Sequence, residues 1–557
     1  PGDDTWNFHA GSIELLPDEN TGIAKHMRLE VLGVPVIYLP YINFPLGERK
    51  SGILAPSFGS SDSGGDEIEI PFYWNIAPDR DATITARHLS EHGTLLNSEF
   101  RYLTETGHGQ LDLQYLDQDR ESQQSRHFIQ YQSQSFWRAW QATFNIQRTS
   151  DRDYFRDLTR DKERISSSLL ESRASLDYRD DNWYLSLALD EFQSVDDQPL
   201  LASQPTKRLP QMRVVNNSSI TSWLNYQLNS ELAQFDQEDG LSANRLDINQ
   251  KVSAYFGSEA YYSKPTVGWR ATSYRIDGGE SAIRQVPMAS LDSGLWLERE
   301  QQLGEKRYRQ TLEPRLYLLY IPYRNQQQLP EQNRLFDTLL SEFDFDSLFN
   351  ENRYSGVDRI GDERRLSFSV SSRWFDHNGR ERLLLRMGRS YHAIDQRVVA
   401  LNDEPQLKGW SNLLAGINGK INRYLSSDGI LEWDDSVQQV EKADFSVTFQ
   451  RDIKRRVALG VHYRRGLLKQ GNLQARWPLD SHWSVMTDVS HSFLDHQTRN
   501  AQLGLEYDGC CWSLRMAAQQ YISSNDGTRN SGLAVQFELK GLTSVGSKIN
   551  GFADGES

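Results

Sequence analysis

The chain of 557 residues lacks any apolar run long enough to cross a bilayer as a helix, which takes about 18 or more residues. The nearest candidate is residues 31–47, and Pro35, Pro40 and Pro45 interrupt it too often for one continuous helix. A helical membrane protein is therefore excluded. Basic charge is also short: 61 Lys and Arg stand against 76 Asp and Glu, a net charge of −15, which argues against a general nucleic-acid binder and leaves no nucleic-acid partner expected. Methionine is scarce at 6, and the 2 cysteines, Cys510 and Cys511, are adjacent. Neighbouring cysteines rarely bond each other, and they are too close for the usual zinc-ligand spacing. Read alone, they are two ordinary thiols or two halves of bonds to cysteines elsewhere. The chain opens at Pro1 within a polar stretch, as expected of a fragment.

Signatures of catalysis are missing as well. No HExxH, P-loop or CxxC occurs, no acidic segment has EF-hand spacing, and no carboxylate pair stands out as acid and base. Asp62-Ser63-Gly64-Gly65 resembles the nucleophile segment of trypsin-like proteases. The histidine segment and disulfide pattern that would accompany it are absent, so it reads as a Ser/Gly turn between strands. The expectation is a protein that is not an enzyme, with no cofactor and no metal.

What is present is alternation. Leu111, Leu113 and Tyr115 alternate with polar residues, as do Ala174, Leu176 and Tyr178. Further stripes are Leu366, Phe368 and Val370, then Ala443, Phe445, Val447 and Phe449, and last Leu533, Val535, Phe537 and Leu539. Period two predicts strands with one apolar and one polar face. Helical patterns are nearly absent; residues 332–350 form the one tempting helix, and polar segments such as 151–161 read as loops.

One-sided alternation fits a soluble sandwich, with the apolar face inward, or a membrane barrel, with the apolar face toward lipid and the polar face lining a wet lumen. The stripes continue without a linker, whereas a sandwich of this length would split into domains. Charged residues recur deep inside strands, and Phe72-Tyr73-Trp74 and Trp374-Phe375 suit interfacial aromatic girdles. The pattern thus favours an outer-membrane-type barrel over a secreted, carbohydrate-active β protein. Residues 1–50 differ, with short strand-like pieces ending at the three prolines.

Several segments together resemble the LptD family of outer-membrane lipopolysaccharide-assembly proteins. They are residues 1–6, 34–41, 71–78 and 81–85, then Leu312-Glu313-Pro314-Arg315, residues 353–360, Cys510-Cys511-Trp512 and residues 538–542. The resemblance implies an all-β fold: the C-terminal part of a periplasmic β-jellyroll over 1–50, a transmembrane antiparallel β-barrel of about 26 strands over 51–542, and a tail over 543–557. It implies the outer membrane of a Gram-negative bacterium, with the N-terminal domain in the periplasm. The partners implied are lipopolysaccharide, an LptE-type plug lipoprotein inside the barrel, an LptA-type periplasmic bridge and outer-membrane lipids. Other outer-membrane barrels, porins or receptor-type channels, are the alternative.

The same resemblance assigns a lateral gate between the first and last barrel strands. A side exit needs a weak strand pair, and proline removes a ladder hydrogen bond. Pro56 and Pro71 match the family's gate prolines, with Leu533, Val535 and Phe537 on the opposite strand. In the family, adjacent cysteines at the positions of Cys510 and Cys511 bond to two N-terminal cysteines, neither of which is in this sequence.

Overall fold

A computed structural model of the protein describes residues 6–16, 21–31, 34–45, 49–54, 56–159, 164, 167–195, 206–236, 242–279, 281–304, 306–327, 329, 335–400, 404–509, 512–523, 528–539 and 543–546. The predicted stripes are strands: Leu111 to Tyr115 lie in Gly107–Leu116, Leu366 to Val370 in Glu363–Phe375, and Ala443 to Phe449 in Gln439–Asp452. They form two sheets. In the first, Trp6–His9 and Ser12–Leu16 pair along one edge of Thr21–Val31, and Val34–Pro45 pairs along the other. These strands fit a jellyroll-like domain. The second sheet is a closed antiparallel barrel of 26 strands, each interrupted strand counted once.

Alternation decides which face meets which medium. Along Gly65–Ala77, Ile70, Phe72, Trp74 and Ile76 are exposed on the outer wall while Glu67 is buried. The same outer face carries Leu187, Leu189, Leu246 and Trp269 on other strands. A belt of large apolar side chains facing outward is what lipid requires. The inner wall is laced by ion pairs between strands: Arg87 with Glu67 at 2.7 Å, Arg101 with Asp81 at 2.9 Å, Arg173 with Asp190 at 3.0 Å and Arg270 with Asp247 at 2.8 Å. Glu506 takes Arg476 on one side, at 2.5 Å, and Arg515 on the other, at 2.8 Å.

The two ends of the barrel differ. One is closed by tight turns such as 78–79, 138–139 and 453–454; the other carries longer connections, such as those within 150–168 and 322–362. The N-terminal sheet enters at the short-turn end. There Arg49 donates to Asp81 at 3.0 Å and to the Pro78 carbonyl at 2.7 Å, while Asn75 donates its side chain to the Arg49 carbonyl and its backbone N–H to Ser51 Oγ.

Two local readings need correction. The segment 151–161, read as loop, contains the short helix Tyr154–Leu158. Tyr154, Phe155 and Leu158 share one face of it and are buried against Leu89, Leu95, Leu116 and Phe128. The tempting helix at 332–350 is, among the described residues, only a 3-10 turn, Ser347–Phe349. Ser347 donates its N–H to Asp344 Oδ1 at 2.8 Å, which competes with helical pairing there.

Candidate functional site

Closure of the barrel joins the first strand, in pieces Gly52–Ile53 and Ser57–Ser61, to the last, Thr528–Leu539. This seam has three register pairs: Ser61 with Gly532, Ser60 with Leu533 and Gly59 with Ala534. On its other edge the last strand pairs with Trp512–Ser523 over all 12 residues. Asp62 pins the long-loop end of the seam, donating its N–H to the Ser531 carbonyl at 3.2 Å and accepting the Ser531 N–H at 2.6 Å.

Toward the short-turn end the seam pairing stops. Continued one residue for one from Ser60 opposite Leu533, the register would set Pro56 opposite Phe537. Phe537 is instead opposite Val545, because the chain folds back and Thr543–Gly546 pairs with the last strand from Gln536 to Leu539. One edge of the last strand is thus shared between the first strand and the tail.

The prolines explain where the first strand falters. Backbone groups in an antiparallel ladder alternate sides, and one residue's N–H and C=O point the same way. Leu54 N–H donates to the Pro71 carbonyl at 2.8 Å, so the N–H that Pro71 lacks would face the first strand. Asp62 faces the last strand, and by alternation so does the position of Pro56, whose missing N–H falls on the seam side. Between Ile53 opposite Phe72 and Ser57 opposite Glu69 the register slips by one residue, a bulge that contains Pro56. Leu533 and Val535 are exposed on the outer wall beside this break.

Comparison with known proteins adds to this geometry. A profile described as LPS transport system D, of the LptD family, matches residues 124–521, and a second, LptD protein, matches 23–214. The LPS-assembly protein LptD of Azoarcus sp. (strain BH72) is 33% identical over 98% of this chain and 69% of its own length. That of Aromatoleum aromaticum is also 33% identical, over 98% and 70%, and that of Nitrosomonas eutropha 31%, over 97% and 76%. The chain belongs to the LptD family. It is an outer-membrane barrel, and its relatives are named as assembly proteins, not enzymes. Family membership and the barrel together support a part in lipopolysaccharide transport and assembly.

Within this LptD-family barrel the segment 353–360, which carried part of the resemblance, turns out to anchor a loop across the long-loop end. Asp358 is completely buried and accepts from Arg245 Nη1 at 2.8 Å, Tyr274 OH at 2.8 Å and the N–H groups of Phe336 and Asp337 at 2.7 and 3.1 Å. Arg245 also binds Asp337 and Glu231. Burial and the nearby Asp337 charge push the Asp358 carboxyl up, against the pull of Arg245. Burial would likewise raise Asp337, but the Arg245 charge and hydrogen bond hold it down at about 2. Gly356 has φ +59°, and a Cβ there would lie 2.3 Å from the Asp337 carbonyl, so the turn requires glycine. Loop residues Leu329, Phe336, Leu348 and Ile360 pack onto inward-facing strand residues such as Phe235, Tyr317 and Leu414.

A second cap lies near the first strands. Arg87 donates to the Leu158 carbonyl at 2.6 Å, and Arg126 binds Asp119, Asp151 and Asp157 at 2.8, 2.6 and 3.0 Å. His92 bridges Asp119, at 2.9 Å, and the Ser63 carbonyl, at 3.0 Å. No sequence signal paired these loop anchors with their partners, because contacts such as Arg87 with Leu158 and Arg245 with Asp358 join distant parts of the chain. Of the residues singled out by sequence, Pro56, Pro71, Leu533, Val535 and the backbone of Phe537 converge on the seam. Cys510 and Cys511 lie outside the described residues, in the sequence between Gln497–Asp508 and Trp512–Ser523.

Proposed function

We propose that this protein receives lipopolysaccharide at its short-turn end, set in the periplasm, and releases it sideways into the outer leaflet between the first and last strands. The observation that carries this reading is the three-pair seam beside a 12-residue ladder. Sugars traverse the lumen, whose walls of paired Arg and carboxylates offer hydrogen bonds; acyl chains leave through the seam, where Leu533 and Val535 already face lipid. The N-terminal sheet, joined at the short-turn end, continues an LptA-type bridge, and an LptE-type lipoprotein occupies the lumen. Cys510 and Cys511 bond N-terminal cysteines that lie outside this sequence.

The test is a lock across the seam. Gly59 and Ala534 are direct partners, in the close spacing of a pair without mutual hydrogen bonds. With Gly59→Cys and Ala534→Cys oxidised, newly made lipopolysaccharide should stop reaching the cell surface, and reductant should restore it. Full delivery with the disulfide formed would refute lateral release.

A further inference from the structure

On the wall opposite the seam, a groove of about 470 Å³ opens to the outside of the barrel between the strands Ala282–Leu295, Lys306–Ile321, Glu363–Phe375 and Glu381–His392. Its volume is that of a small-molecule site, which spans about 300–1,000 Å³. Ala289, Leu291, Leu318 and Leu366 line it, with Tyr320 and Arg364 at its long-loop end. Register explains the recess: small Ala289 is the direct partner of Tyr320, and Tyr320 of Arg364.

Arg364 is out of place on a lipid-facing wall. Its neighbour Arg365 is buried and donates inward to the Ser347 and Asn350 carbonyls, so alternation turns Arg364 outward, where it is exposed. Its guanidinium lies 5.6 Å from the centre of the Tyr320 ring and, among the described residues, has no hydrogen bond or ion pair. An unpaired charge at the edge of hydrocarbon is costly unless an anion meets it. Two more guanidinium groups belong to the loops that follow the lining strands Lys306–Ile321 and Glu381–His392. Arg397 stacks on Tyr323 at 3.5 Å, and Arg324 donates to the Gln285 and Tyr323 carbonyls. Of the three carboxylates on the loop after Ala393, Asp395, Asp403 and Glu404, Asp395 accepts the Lys408 N–H at 2.6 Å. Below Arg364 the wall continues as Leu366, Phe368 and Val370, with Leu316 and Leu312 beside them.

We infer that this groove is a binding site for one acylated, phosphorylated glycolipid of the outer leaflet, its phosphate on Arg364 and an acyl chain along Leu318 and Leu366. The inference rests on the reading above that the long loops face the outer leaflet. Because the groove lies across the barrel from the seam, it holds a resident lipid and is not the exit route.

The test places a photocrosslinker, p-benzoylphenylalanine, at Phe368 in the full chain in nanodiscs that contain bisphosphorylated lipid A, phosphatidylglycerol or phosphatidylethanolamine. A second probe at Phe58 reports on the seam. The Phe368 probe should capture lipid A well above phosphatidylethanolamine. Arg364→Gln should cut that capture about tenfold, through loss of a charge-assisted contact, while Arg364→Lys retains much of it. Capture at Phe58 should not respond to either change. Capture at Phe368 that is indifferent to Arg364→Gln, or equal for all three lipids, means annular lipid only and overturns the site. Absence of lipid A at Phe58 alone counts against lateral release and leaves the groove standing. Heat-modifiable gel mobility confirms that each variant is folded.

Discussion

Replacing Pro71 with alanine tests how the first strand is held. Leu54 and residue 71 form a pair in which two hydrogen bonds should be exchanged, and the structure contains one, Leu54 N–H to the Pro71 carbonyl at 2.8 Å. Alanine restores the donor for the Leu54 carbonyl, a net gain of about 0.5–1.5 kcal/mol for a typical bond. The unfolded chain also gains freedom when proline is lost, which lowers global stability by roughly 0.4–1 kcal/mol. That second effect leaves the opening of a folded barrel untouched. The first strand should therefore detach from the second about 2- to 13-fold less often. Hydrogen exchange in the folded protein should slow at Leu54 by that factor, and lipopolysaccharide should reach the surface more slowly in a pulse-labelled culture. Pro56→Ala acts on the other side of the strand, toward the last strand, and the double variant should be slower still. Unchanged exchange at Leu54 would refute the missing-bond argument; slowed exchange with undiminished delivery would refute the role of strand release.

Three further outcomes follow from the same geometry. Asp358→Ala takes one of three carboxylates from Arg245 and the acceptor from the buried Tyr274 hydroxyl, and should cost about 1–3 kcal/mol, read as faster proteolysis within 322–362 in a barrel whose strands stay intact. Burial raises Asp119, but hydrogen bonds from Arg126 and His92 outweigh it and hold the carboxyl at about 2, below its unfolded value of about 3.9. Its contribution is thus complete above pH of about 4 and lost as pH falls through about 2, so cleavage in 150–168 should rise over that window, and Asp119→Asn should abolish the pH step. Val545→Pro removes a donor from the tail where it faces Phe537, and exchange at residues 536–539 should accelerate; no change would mean the tail does not cover that edge.

The wall of the barrel was legible because its period is two, and lipid on one side with water on the other keeps that period intact along strands such as Gln439–Asp452. The caps were not legible, for a different reason. Arg245 and Asp358 are 113 residues apart, and nothing near either predicts the other. The resemblance drew attention to residues 353–360 without giving them a task; the buried Asp358 and the φ of Gly356 supply one. The helix Tyr154–Leu158 escaped notice because its three apolar residues sit among charged ones and make sense only against Phe128 and Leu116. At the seam, residue types pointed to the prolines, but their directions depend on register. Pro71 acts between the first and second strands, whereas Pro56 acts toward the last, a distinction that composition cannot carry.

The placement of the three seam pairs has a mechanical meaning. They lie at the long-loop end, while the short-turn half of the first strand is already parted from the last. A load that enters from the short-turn end meets these rungs one after another, as in peeling tape from its free end. Were the pairs spread along the whole strand and pulled lengthwise, all would resist together, as in shear. Peeling demands only enough force for a single rung, about 0.5–1.5 kcal/mol at each step, while the total resistance of the closed barrel to random rupture stays the sum. Under the proposed lateral release, the Asp62–Ser531 contacts would be the last to yield and would bring the two strands back into the same register.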